Sequence, residues 1–257
     1  MADYSGIGWT NATWVVVEGC IDASTGCKIC YAKEVVYKLA RNPNPKISLP
    51  LAGLTEQRGG YVRWTGKVAL RYDRLDQPRK WKKPRMIFIP SLGDVFYEEV
   101  PFDFVDRIFE VMADTPRHRY QLLTKRPQRM AEYLRQYPGC WPLDHVWLGV
   151  SVENREWMSR VDVLRTIPAA VRFLSLEPLL EDLGTFDLTG IHWVIVGGES
   201  GPDRSRRVMR VGWVRNIADQ CIAAGVPVFV KQDSGRRPGK QGRLPDDLWA
   251  LKQFPRS

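Results

Sequence analysis

Val146-Trp147-Leu148-Gly149-Val150-Ser151-Val152-Glu153-Asn154 holds the pattern that repeats through the chain. Val146–Val150 is apolar without alternation, as a strand buried on both faces is. It then closes on hydroxyl, carboxylate and amide side chains. The same theme recurs at Trp14–Val17, Lys67–Arg71, Met86–Pro90, Tyr120–Leu123, Val171–Ser175, His192–Val196 and Val226–Val230. Helical patterns lie between. Phe102–Ala113 sets Phe102, Val105, Ile108, Phe109 and Met112 on one face. Pro127–Tyr137 opens on a proline suited to a first helical position. Glu156–Thr166 shows Trp157, Val161 and Leu164. Val211–Ala224 stops before Gly225, an expected C′ glycine. From Met86 onward, the spacing between strands is that of a βα unit. The expected fold is α/β: a TIM-barrel-like (β/α) barrel, full or partial. Residues 1–257 are read as a single barrel domain. It carries an N-terminal cysteine loop at 20–31 and an irregular insertion at about 38–66, marked by Asn42-Pro43-Asn44-Pro45 and Gly59-Gly60.

Composition sets the class. The chain has 257 residues, 44% hydrophobic and 26% charged. These are globular values, and they exclude disordered, collagenous and coiled-coil classes. No apolar run reaches the roughly 18 residues of a membrane span, so no membrane partner is expected. The start, Met1-Ala2-Asp3-Tyr4-Ser5, is neither basic nor followed by an apolar stretch. A cytoplasmic location is therefore the expectation.

Lys plus Arg number 38 and Asp plus Glu 29, a formal charge of +9. The excess sits in two stretches, residues 58–85 and 201–243, and the remainder is net acidic. Such patches suit DNA or RNA, with basic side chains on phosphates. Tyr61, Trp64, Tyr72 and Trp81 are candidates to stack on bases. Solvated loops are the plainer alternative.

Nearly every candidate strand ends in ionisable or amide groups. Arg71 ends the second and Ser91-Leu92-Gly93-Asp94 the third. Thr124-Lys125-Arg126-Pro127, Ser151-Val152-Glu153-Asn154 and Glu177-Pro178 end the next three. Gly197-Gly198-Glu199-Ser200-Gly201 and Lys231-Gln232-Asp233 end the last two. In a barrel these ends meet at one mouth, where sites are built. Lys125, Glu177, Glu199 and Lys231 are the candidate catalytic groups. Asp94, Glu153, Gly197 and Gly198 are candidates for holding a small-molecule ligand there, the glycines by close backbone approach. The scattered His118, His145 and His192 read as structural or surface residues. Trp9 and Trp14 read as core packing near the cysteine loop.

Five cysteines are an odd set for a disulfide framework. Cys20, Cys27 and Cys30 form Cys-x6-Cys-x2-Cys-Tyr after the first candidate strand and before a helical stretch at Ala32–Leu39. Three thiolates on a short loop suit three irons of a 4Fe–4S cluster, leaving the fourth iron open. Zinc wants four ligands, which Cys140 or Cys221 would have to complete in space. Free thiols are the third alternative.

A cysteine triplet after the first strand of a (β/α) barrel resembles the radical S-adenosylmethionine superfamily. The whole chain resembles more closely an uncharacterised, phage-associated family of Gp37/Gp68 type within or near it. The likeness rests on Ile7-Gly8-Trp9-Thr10-Asn11-Ala12-Thr13-Trp14 and on Gly19-Cys20 through Cys30-Tyr31-Ala32. Ser91–Phe96, Leu122–Pro127, Leu148–Asn154, Leu174–Leu180, Trp193–Gly201 and Lys231-Gln232 extend it from about residue 6 to 254. The resemblance implies a 4Fe–4S cluster on Cys20, Cys27 and Cys30, with S-adenosylmethionine at its open iron. Two features depart from the superfamily pattern. The first cysteine gap is six residues rather than three. Gly197-Gly198-Glu199 follows a late strand, so it does not carry over as the site for the amino group of S-adenosylmethionine.

Two functions remain open at this point. One is an iron–sulfur enzyme with a radical-SAM-like barrel acting on or near nucleic acid. The other is a non-catalytic nucleic-acid-binding module stapled by zinc or an iron–sulfur centre.

Overall fold

A computed structural model of the chain describes residues 5–136, 141–201 and 205–255. Seven strands form one sheet: β1 (Ala12–Thr13), β2 (Met86–Ile89), β3 (Arg119–Thr124), β4 (Val146–Ser151), β5 (Val171–Leu176), β6 (Trp193–Gly197) and β7 (Val228–Gln232). They lie in sequence order, and every pairing is parallel. Five longer helices accompany them: α1 (Tyr31–Leu39), α2 (Phe102–Asp114), α3 (Pro127–Arg135), α4 (Ser159–Thr166) and α5 (Val211–Ala223). In α2, Phe104, Val105, Ile108, Val111 and Met112 are buried, the stripe of a helix laid on a sheet. Gly225 has φ +67°, as a C′ glycine should.

The sheet curls. Odd and even positions of the strands bury against different cores. Ile87, Ile89, Leu148, Leu174, Val194, Val196, Val228 and Val230 face outward into the helix-covered core. Phe88, Trp147, Phe173, Trp193, Ile195 and Phe229 face inward. Trp9, just before β1, reaches across to the far side of the sheet. Its ring lies 6.1 Å from that of Trp193 on β6 and 4.8 Å from Phe88 on β2. The inner face is thus a closed aromatic floor, while β1 and β7 do not pair with each other. This is the partial form of the expected barrel.

Gly149 shows how tightly the floor is filled. A Cβ there would stand 2.4 Å from the Phe173 ring. Gln121 is a buried polar residue among the rings of the floor, and its Nε2 donates to the Trp9 carbonyl at 3.1 Å.

The second expected strand, Lys67–Arg71, is not in the barrel. Ala69–Leu70 instead pairs antiparallel with Val17–Gly19, which pairs in turn with Leu92–Gly93. The first expected strand, Trp14–Val17, falls in the gap after β1 and shares only Val17 with the short strand Val17–Gly19. Arg71 therefore ends no barrel strand. It binds Glu18 at 2.8 Å and Asp73 at 2.8 Å. The insertion at 38–66 is more regular than expected. It holds a hairpin, Thr55–Arg58 with Tyr61–Trp64, turned by Gly59 and Gly60 at φ +60° and +78°. The link from β5 to β6 contains no helix.

Candidate functional site

Inward side chains change character toward the strands' C-terminal ends. Along β4 the order is Trp147, Gly149, Ser151. Along β5 and beyond it is Phe173, Ser175, Glu177, and along β7 it is Phe229 then Lys231. Large rings give way to small residues, then to charges. The small residues leave a cavity of about 480 Å³ at the mouth, above the aromatic floor.

Cys20, Cys27 and Cys30 line this cavity. So do Asp94, Lys125, Glu177, Gly198, Glu199 and Lys231, all named from sequence. Ser151, named among the strand ends, lines it too, as does Ser175, which sequence reading missed. Glu153 and Gly197 lie behind its wall. Lys231 Nζ stands 3.1 Å from Glu177 Oε1. That oxygen is buried and has no aligned hydrogen bond beside this ion pair. Glu177 Oε2 accepts from Ser175 Oγ at 3.2 Å.

The two glycines make room for protein rather than for a ligand. A Cβ on Gly197 would fall 2.4 Å from Glu177 Oε1, and one on Gly198 2.4 Å from Ser234 Oγ. Asp94 is also committed internally. It accepts from Thr124 Oγ1 at 2.7 Å, the Phe96 amide at 3.0 Å, and the Lys125 amide and Arg126 Nη1 at 3.1 Å each.

Three arginines hold the cysteine loop from behind; Arg126 stood among the strand-end groups and Arg207 in the 201–243 basic stretch, while Arg160 carried no sequence signal. Arg126 donates to the Ile21 carbonyl at 3.3 Å, Arg160 to Ala23 at 3.1 Å and Arg207 to Thr25 at 3.0 Å. Alternate carbonyls from Ile21 to Thr25 are thereby fixed. A carboxylate beyond an alternate strand anchors each arginine: Asp94 after β2, Glu153 after β4, Glu199 after β6. Glu153, fully buried, also pairs with Lys125 and accepts from Ser24 Oγ at 2.7 Å. Gly26 packs on that carboxylate, where a Cβ would sit 2.6 Å from Glu153 Cγ.

The thiols are unpaired among the described residues. Burial pushes Cys20 up to about 12, helped by Asp94 and opposed by Arg126. Burial also raises Cys27, but Lys125, the Ala23 amide and the Ser24 hydroxyl outweigh it, and its thiol lies below the ordinary value. Cys30 is raised by burial and by the Cys27 thiolate. Lys125 is itself lowered by burial, against the pull of Cys27 and Cys30. As placed, no trio of His, Cys, Asp or Glu among the described residues is gathered closely enough to hold a metal ion. The donor set still fits a thiolate-ligated centre in kind: three unpaired thiols on one wall, one with its pKa drawn below the ordinary value.

A fourth ligand does not come from Cys221, which is buried in the outer core on α5. Cys140 lies outside the described residues.

The basic stretches are less free than their count suggests. Arg71 and Arg74 pair with Glu18, and Arg79 with Asp76 and Asp114. Trp81 is buried in the outer core and offers no stacking face. Two parts of these stretches do reach the mouth, through Trp64 of the hairpin and Pro238 beside the exposed Arg236 and Arg237.

A family model covers residues 4–246, nearly the whole span of barrel and mouth. The chain belongs to DUF5131, a family described as proteins of unknown function. No curated protein matches it. Solved structures of spore photoproduct lyase are similar in fold. One, complexed with dinucleoside spore photoproduct, has a TM-score of 0.47 at 12% identity. A tyrosine-to-phenylalanine mutant gives 0.45 at 11%. Each alignment covers 86% of this DUF5131 chain and 63% of the other, so the chain spans less than two thirds of their length. Among the described residues no helix is long and apolar enough to cross a membrane.

Proposed function

We propose that this chain is an iron–sulfur enzyme of radical-SAM-like type acting on nucleic acid. The supporting observation is one place: three unpaired cysteines line the same mouth cavity as the charged ends of the barrel strands. Cys20, Cys27 and Cys30 would hold the cluster. When bound, a 4Fe–4S cluster supplies one-electron chemistry to a ligand on its open iron. The resemblance to a phage-associated family is the sequence side of the same reading.

The chain's own residues have distinct tasks. Arg126, Arg160 and Arg207 order the loop. Lys125 favours the Cys27 thiolate. Glu177 and Lys231 face the cavity as an acceptor and a donor for a small polar ligand, of which S-adenosylmethionine is the first to test. Below them the aromatic floor excludes water from one side of the cavity.

The test is anaerobic reconstitution with iron and sulfide, followed by metal analysis, visible absorption and an assay for cleavage of S-adenosylmethionine. A brown protein whose iron is lost in Cys27→Ala is expected. Undiminished iron in that variant refutes the ligand set. A colourless protein with stoichiometric zinc refutes the enzyme reading in favour of a metal-stapled binding module.

A further inference from the structure

Behind the cysteine loop, on the outside of the barrel, lies a second cleft of about 740 Å³. It runs between α3 and the start of α4, and Ile21 and Ala23 of the loop form its inner wall. It shares Ile21 and Lys125 with the mouth cavity, so the two sites are contiguous. Lys125, Arg126, Arg129, Arg135 and Arg160 line it, against Glu98 and Glu132. Lys125, Arg126 and Arg160 spend their charge partly on Glu153, Asp94 and Glu98. Arg135 is exposed and its side chain has no hydrogen bond or ion pair among the described residues, and neither has that of Gln128, two turns away on the same helix. Trp157 adds an aromatic wall, with the Arg160 guanidinium 4.2 Å from its ring centre.

We infer that this cleft is the track for the phosphodiester backbone of the nucleic acid, leading its bases toward the mouth. Charge complementarity selects the occupant: a cationic surface with free guanidinium and amide donors fits phosphate oxygens. Continuity with the mouth sets its direction. This rests on the nucleic-acid reading above and adds the binding surface. That surface lies outside both basic stretches.

The experiment is fluorescence anisotropy of a labelled single-stranded oligonucleotide over a salt series, using the full chain. The variants are Arg135→Glu with Gln128→Glu, the milder Arg135→Lys, and Lys82→Glu with Lys83→Glu as an off-cleft control. Circular dichroism confirms the fold of each. The cleft variant is expected to bind more weakly, its salt slope reduced by about 0.7 for each phosphate that is no longer neutralised. Arg135→Lys should keep most of the affinity, and the lysine control should bind like the parent. Photocrosslinks should map to residues 128–135.

An unchanged slope in the cleft variant, with crosslinks elsewhere, overturns the inference while leaving nucleic-acid binding intact. No binding by the parent chain overturns the inference and the nucleic-acid part of the proposed function together, whatever its iron content. Binding of inorganic phosphate alone, with no oligonucleotide bound, also overturns it. Iron loading in the cleft variant, measured separately, tests the cluster.

Discussion

The floor and the mouth of this barrel are built from the same strands and differ in everything else. On the floor Trp9, Phe88, Trp147, Phe173, Trp193 and Phe229 pack edge to face, with ring centroids 4.8 to 6.3 Å apart where they meet. At the mouth the next inward positions are glycine, serine, carboxylate and lysine. Apolar stacking needs no partner of particular charge, so the floor stabilises the fold. Buried charges need partners, so Asp94, Glu153 and Glu199 are each tied to an arginine that also fixes a segment of chain, while Glu177 pairs with Lys231. Stability and loop order are therefore separable by mutation.

The largest effect should come from the floor. Trp193→Ala removes the ring that touches most of the others, and should cost about 3–5 kcal/mol in urea denaturation. The cysteine loop should keep its protease resistance below the transition. Equal loss of both would merge the two regions.

Glu153→Gln attacks the mouth. It leaves Lys125 and Arg160 without their shared counter-charge, at a cost of roughly 3 kcal/mol, the low end for a broken buried pair because the amide oxygen still accepts. Here proteolysis within residues 20–30 should accelerate before global unfolding. A loop as resistant as in the parent would show that the carboxylate–arginine ties do not order it.

Gly149→Ala tests the border between the regions. The added methyl meets Phe173 and should cost roughly 2 kcal/mol by overpacking. Phe173→Leu should recover part of it in the double variant.

The smallest effect is a pH dependence outside both regions. His118 is fully buried; its Nδ1 accepts from the Arg85 amide at 3.2 Å, so Nε2 carries the proton toward the Pro78 carbonyl at 3.0 Å. Burial, opposed by that carbonyl, holds its pKa below the ordinary 6.5. The unfolded chain therefore takes up the proton first. His118 contributes stability above 6.5 that is lost as pH falls toward its folded value. His118→Gln should flatten that limb of the stability profile. A limb of unchanged steepness would assign it to other groups.

Much of this was legible in the residues. The strands from Met86 onward showed as apolar runs, and the charged ends that meet at the mouth followed them. Val146–Ser151 could not show which parity faces inward, because both faces are buried and no alternation survives. Ser175 was therefore invisible as a lining residue, and Ser151 showed only as a strand end. Ala69–Leu70 had the composition of a barrel strand, and only pairing with Val17–Gly19 took it out of the barrel. The cationic cleft was hidden for a related reason. Its bases are divided between residues 125–135 and Arg160, which only the packing of α3 beside α4 brings to one cleft.

By itself the sequence determined that three thiols lie on one short loop and that polar groups close the barrel strands, since both are matters of spacing along the chain. The tertiary structure alone decided that Arg126, Arg160 and Arg207 grip alternate carbonyls of that loop, and which lysines and carboxylates face a cavity. Those arrangements depend on curvature and on the burial of charge, and neither leaves a periodic mark on a chain.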